Sequence, residues 1–143
     1  MAISVDCATV KMLNGFANYF EDAKVKVSID HHSTNTMFGD YNYVSPDAPA
    51  CAQILLIVLE YFNMEVTKDI GTCILTGIIT DTGGFKYSGV TAETFEFVAG
   101  LLNKGINVSK VYKKVLQTKT RANFELTRIA SDRLEFFEDN KIA

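Results

Sequence analysis

The chain has 143 residues, 48% hydrophobic and 22% charged, with a formal net charge of −3. That is one domain's worth of an ordinary globular sequence; it excludes a disordered chain, and no apolar run reaches the ~18 residues of a membrane span. The N-terminus has neither a basic region nor a small-residue cleavage site, so the sequence reads as cytoplasmic. Cys7, Cys51 and Cys73 are odd in number and far apart, which fits neither a disulfide framework nor a zinc site, and they read as buried free thiols. Charge is uneven along the chain: residues 1–103 hold 5 Lys/Arg against 12 Asp/Glu, and residues 104–143 hold 9 against 5.

In chain order, Ala2-Ile3-Ser4-Val5 reads as a strand ending on Asp6, followed by a mixed segment to Phe20. Because nothing precedes that strand, sequence is expected to be missing upstream. Val25, Val27 and Ile29 alternate with Lys24, Lys26 and Ser28, the period of a half-buried strand. This strand delivers Asp30-His31-His32, with the chain's only two histidines, at its C-terminal edge. Two parallel strands joined by a probable helix form a βαβ-like unit, and ligands bind beyond the carboxyl ends of such strands. Asp6 and Asp30 are therefore expected to converge on one crevice.

Residues 38–44 read as a loop and short strand. Ser45-Pro46-Asp47-Ala48-Pro49 then announces a helix over 50–62, capped by Ser45 or Asp47 and largely buried, with Gln53 and Glu60 as polar exceptions. Thr67 or Asp69 caps a second helix over 70–80, whose Gly71 and Gly77 permit close packing. It ends on Asp81-Thr82-Gly83-Gly84-Phe85-Lys86-Tyr87, where the glycines allow a tight turn that presents Asp81 at a bend, and Phe85 and Tyr87 alternate like a short strand. Thr91 caps a helix that stops at Gly105, and Ser109 caps another. A last helix from about Thr120 has Phe124, Leu126, Ile129 and Leu134 on its apolar side. Residues 134–143 read as the opening of a hairpin, with truncation on the C-terminal side.

Asp6, His31 and Asp81 would offer one ion two carboxylate oxygens and an imidazole nitrogen, a set suited to manganese and, less so, to magnesium or another divalent ion. Asp30 suits the acceptor that holds an imidazole's tautomer, and His32 suits a donor to a phosphate oxygen. Lys110, Lys113, Lys114, Lys119, Arg121, Arg128 and Arg133 read as a solvated helix face in preference to a phosphate-facing one.

Val5-Asp6, the run Ser28-Ile29-Asp30-His31-His32-Ser33-Thr34-Asn35, and the run from Gly77 to Tyr87 resemble successive motifs of the DHH phosphoesterases, in their order and spacing. Residues 38–44 and the helices after Thr91 resemble the branch of bifunctional oligoribonucleases and pAp phosphatases. The resemblance implies a parallel sheet flanked by helices on both faces. It also implies hydrolysis of short oligoribonucleotides or 3′-phosphoadenosine 5′-phosphate with two ions, usually manganese. By position, Asp6 would bridge the ions, His31 and Asp81 would complete one of them, and Asp30 would stand behind. His32 would contact the scissile phosphate, and Asn35, Gly83 and Gly84 would help line the site.

The family's first motif, a histidine and two aspartates on a preceding strand, has no counterpart here. Residues 1–133 thus resemble the central and C-terminal part of a DHH domain, and residues 134–143 the start of a linker to an absent second, DHHA1-like domain. The isolated chain is expected to be inactive, with a homodimer possible. Rival readings are a manganese-dependent inorganic pyrophosphatase, a cyclic dinucleotide phosphodiesterase of the same superfamily, and a noncatalytic nucleotide-binding or interaction module.

Overall fold

A computed structural model describes residues 1–139. Its centre is a three-stranded, wholly parallel sheet ordered β1 (Ala2–Val5), β2 (Lys26–Asp30), β3 (Tyr41–Val44). Register pairs Val5 with Ile29 and Ile29 with Tyr43, while Ser4 and Ser28 share the other face. Being central, β2 is covered on both sides, and its last three residues, Ser28, Ile29 and Asp30, are buried. Asp30 is thus the final residue of the strand and not the first beyond it.

One face of the sheet carries α2 (Cys51–Tyr61), where Ile29, Cys51 and Ile54 form a small core with Val27 and Val58. On the other face Ser4 is buried whereas its strand neighbours Ile3 and Val5 are exposed, and α1 (Ala17–Glu21) packs against β1. The mixed segment before α1 is a 3₁₀ helix over Val10–Phe16, interrupted by Asn14 at φ 49°. The fold is therefore the α/β arrangement of a parallel sheet with helices on both faces.

The larger core lies between α2, α3 (Lys68–Asp81) and α4 (Ala92–Asn103), around Leu56, Leu75, Ile78, Ile79, Val98 and Leu101. Thr67 caps α3 through Ile70 N–H, and Thr91 and Thr94 form a reciprocal capping box on α4. Gly105 at φ 80° ends α4. α5 (Val108–Tyr112) runs into a π-helical turn over Lys113–Gln117, and α6 (Arg121–Ser131) follows a Thr120 cap.

Several expectations are corrected. Ala50 occupies the N-cap of α2 without a side-chain bond, because the chain through Pro49 enters the helix later than Ser45 or Asp47 could cap it. Gln53 is buried, with its amide 3.4 Å from Glu93, while Phe62 at the helix end is exposed. Residues 85–87 form a turn and not a strand: Phe85 sits at φ 67°, and the N–H groups of Lys86 and Tyr87 both reach Thr82 O. Asn107, two residues before Ser109, caps α5. The apolar side of α6 is uncovered, with Phe124, Leu126 and Ile129 all exposed. Of the cysteines only Cys51 is buried; Cys7 is half-buried and Cys73 exposed. Residues 134–136 take no regular structure, and the expected partner strand at 142–143 lies outside the described residues.

Candidate metal centre

Four chain ends meet beyond the sheet. β1 stops at Asp6, which turns into the left-handed region at φ 59° and is anchored by its N–H to Ile29 O at 3.0 Å. A non-glycine residue there is strained, and such strain concentrates at functional sites. β2 delivers Asp30, His31 and His32. The N-terminus of α2 and the C-terminus of α3, which ends on Asp81, close the group.

Asp30 has no exposed surface, and both its carboxylate oxygens are satisfied. Oδ1 accepts from His31 N–H at 2.8 Å and from His32 Nδ1 at 2.7 Å, and Oδ2 accepts from Asn35 Nδ2 at 2.7 Å. Burial pushes this carboxyl up, but the bonds from Asn35, His32 and the backbone outweigh it and hold the pKa below the usual carboxylate value. The same bond raises the pKa of His32, against a smaller opposing effect of burial. His32 therefore donates Nδ1–H to Asp30, a bond that favours its cationic form.

His31 is held differently. Its Nδ1 lies 3.0 Å from Ala48 O, and since a carbonyl only accepts, Nδ1 carries a proton, so that the neutral form of the ring has its lone pair on Nε2. That nitrogen lies 3.4 Å from Asp6 Oδ1 and 3.9 Å from Asp81 Oδ2. Asp6 Oδ1 is buried and has no hydrogen-bond partner among the described residues. Burial raises the Asp81 pKa, the Asp6 carboxylate raises it further, and His31 and the Cys51 N–H offset part of this. Asp81 also sits at a helix C-terminus, where the dipole disfavours an anion.

Two carboxylates thus face His31 Nε2, which in the neutral ring is a lone pair, an opposition that a divalent cation would relieve. The donor atoms fit such an ion: oxygen and imidazole nitrogen, as manganese, magnesium or a similar metal takes. No thiolate competes, because burial pushes the Cys51 thiol up to about 12, and its Sγ–H donates to Ile29 O at 3.3 Å. Asp6, His31 and His32 also bring ligand-type atoms within 4.8 Å of one another. The Nδ1 of His32, however, is bonded to Asp30, which leaves Asp6, His31 and Asp81 as the better-disposed set.

Asp6, Asp30, His31, His32 and Asp81 come together here, whereas Asn35 stands behind them. The polar groups of Asn35 are used internally: Nδ2 bonds Asp30 and, at 3.2 Å, Cys7 O, and Oδ1 accepts from Met37 N–H. It braces Asp30 and does not line a cleft. Asp30 in turn fixes the ring of His32 and not that of His31, which Ala48 O holds. Gly83 and Gly84 adopt φ 58° and 72°; a Cβ on Gly83 would stand 2.6 Å from the Tyr87 ring, and one on Gly84 2.8 Å from Tyr112. They let α3 stop abruptly after Asp81, with both tyrosines packed on the bend. The carbonyl of Ala48, which sets the His31 tautomer, was missed, as were the tyrosines; a backbone oxygen leaves no mark in a sequence.

No family model matches the chain. Its α/β architecture is that of a DHH-type domain. An exopolyphosphatase-related protein from Bacteroides fragilis has the same fold, with a TM-score of 0.85 and 25% identity over 96% of this chain and 41% of its own. Within that class the chain is related to the bifunctional oligoribonuclease and PAP phosphatases. The protein so named from Thermus thermophilus is 36% identical over 100 residues, 70% of this chain and 31% of its own length. The one from Bacillus subtilis is 24% identical over 96 residues, 65% of this chain and 31% of its own. The chain therefore matches about a third of the length of these curated relatives.

Proposed function

We propose that this chain is part of a divalent-metal-dependent phosphoesterase that hydrolyses short oligoribonucleotides and 3′-phosphoadenosine 5′-phosphate, with manganese as the preferred ion. In this reading residues 1–133 supply the central and C-terminal part of a DHH domain, and residues 134–143 lead toward a second domain. The observation that carries it is the approach of Asp6 Oδ1 and Asp81 Oδ2 to the lone pair of His31 Nε2, at 3.4 and 3.9 Å. The kinship with proteins named oligoribonuclease and PAP phosphatase supports the substrate class.

An ion held by Asp6, His31 and Asp81 would supply positive charge to a phosphoryl oxygen and lower the pKa of a bound water. The chain's own residues do the rest. Ala48 O keeps the His31 proton on Nδ1, so that Nε2 stays available. Asp30, clamped by Asn35, orients His32 and favours its cationic form, whose Nε2–H donates to a phosphate oxygen. The bend at Gly83 and Gly84 ends α3 directly after Asp81, so that this carboxylate stands at the helix terminus.

The test has two levels. Calorimetric titration of the 143-residue chain with Mn²⁺ is expected to show one weakly bound ion, lost in His31→Ala. A longer chain, of the relatives' length, is assayed with a short oligoribonucleotide, 3′-phosphoadenosine 5′-phosphate, inorganic pyrophosphate and a cyclic dinucleotide. Release of nucleoside monophosphate is expected, with His31→Ala reducing the rate by at least the ~10–100-fold typical of losing a ligand's supporting partner, and Asp30→Ala by less. Hydrolysis unchanged in His31→Ala would overturn the assignment; preference for pyrophosphate or the cyclic dinucleotide would replace the substrate.

A further inference from the structure

A second cavity, of about 460 Å³, lies between α3 and the α5 segment, and none of Asp6, His31, His32 or Asp81 lines it. Its two walls differ in chemistry. One is a row along α3 of Lys68, Asp69, Thr72 and Thr76. The hydroxyl protons of both threonines are spent on backbone carbonyls, Thr72 on Lys68 O and Thr76 on Thr72 O, each at 2.7 Å. Their oxygens can therefore only accept, as can the Asp69 carboxylate. The other wall carries Lys110 and Lys114, together with Asn107, whose Oδ1 is used by Lys110 N–H at 2.8 Å and whose Nδ2 has no partner among the described residues. Between the walls the floor is apolar, formed by Val111 and Val115.

Lys68, Lys110 and Lys114 make no ion pair with any acid among the described residues. Three free ammonium groups against one carboxylate, in a chain of net charge −3, make this cavity a local cationic site. An anion alone would use the lysines but leave the acceptors and the apolar floor idle. A ligand that matches every part has a phosphate at one end, hydrophobic ring faces in the middle, and O–H or N–H donors on the opposite side. A ribonucleotide has all three: phosphate for Lys110 and Lys114, a base to lie on Val111 and Val115, and ribose hydroxyls or an exocyclic amine for Thr72, Thr76 and Asp69.

We propose that the groove between α3 and α5 is a binding site for a ribonucleoside monophosphate, separate from the metal centre. The reading does not rest on the proposed hydrolysis, but if both hold, the groove would take the same chemical class that the cleft releases, and so couple occupancy to product.

The experiment is calorimetric titration of the 143-residue chain, in EDTA, with adenosine 5′-monophosphate, adenosine and inorganic phosphate as separate probes. Binding of the monophosphate is expected to exceed that of either adenosine or phosphate alone, and to weaken by about tenfold or more in Lys110→Met/Lys114→Met, two exposed positions whose substitution leaves the core intact; circular dichroism verifies the fold. Thr76→Val, which keeps shape and deletes the hydroxyl together with its bond to Thr72 O, is expected to weaken the monophosphate and leave phosphate unaffected. His31→Ala is expected to change nothing in this assay. Equal affinity for phosphate and monophosphate, binding unaltered in the double lysine variant, or binding lost in His31→Ala would each overturn the proposal.

Discussion

A carboxylate with no exposed surface is tolerable at Asp30 because both of its oxygens have donors, from His31 N–H, His32 Nδ1 and Asn35 Nδ2. Asp30→Asn replaces an acceptor with a donor facing donors, and is expected to lower stability by about 1–3 kcal/mol in chemical denaturation. The partners also set a pH window. The Asp30 pKa is lowered, so its contribution is present above the unfolded value of about 4 and is lost as pH falls through the folded one. The His32 pKa is raised, so its contribution is complete below the unfolded value of about 6.5 and is lost as pH rises through the folded one. In EDTA the Tm difference between wild type and His32→Ala should therefore be greatest between about pH 4 and 6.5 and shrink at higher pH. A difference constant up to about pH 9 would contradict the ion pair. Asp6, Asp30 and His31 were legible because alternation placed them at strand ends. That Asn35 would brace Asp30 was not, since the same amide could as well have faced a ligand.

At the scale of elements, α3 approaches α2 at Gly77, where an added Cβ would stand 2.6 Å from the Ala52 Cβ. Alanine is favoured over glycine in a helix by about 1 kcal/mol, whereas overpacking costs about 1–3 kcal/mol. Gly77→Ala is thus expected to lower the Tm, and Ala52→Gly in the same chain to recover part of the loss; a rise in Tm for Gly77→Ala alone would show that the helices can separate freely. The helices were legible where caps and periodicity agreed, as with Thr67, Thr91 and Thr120. They were less so where two capping residues compete: Asn107 and Ser109 both qualify, and the sharp exit at Gly105 selects the nearer one. The π-helical turn over Lys113–Gln117 follows from tertiary contact, as Tyr112 and Leu116 pack on Gly84, and no local pattern announces it. Likewise Phe85 was read as extended from alternation alone, before the two preceding glycines forced the turn.

Across the whole molecule, apolar side chains remain uncovered at separate places: Ile3 and Val5 on the edge strand β1, and Phe124, Leu126 and Ile129 on α6. An edge strand with apolar neighbours is a pairing template. The weight-average mass in sedimentation equilibrium should rise with protein concentration, and Ile3→Lys should reduce that rise; a mass independent of concentration would count against association through this edge. Among the described residues no helix is long and apolar enough to cross a membrane. The all-parallel order also governs how the molecule reaches its native state. β1 and β2 join Ala2 to Lys26 across an intervening helical segment, so a long loop must close before any ladder bond forms, whereas α3 can form its own turns locally. Asp6, His31 and Asp81 come from three such segments and meet only once all are docked, so under the proposed function ion capture in a refolding experiment should lag the helical signal and keep time with the slowest phase.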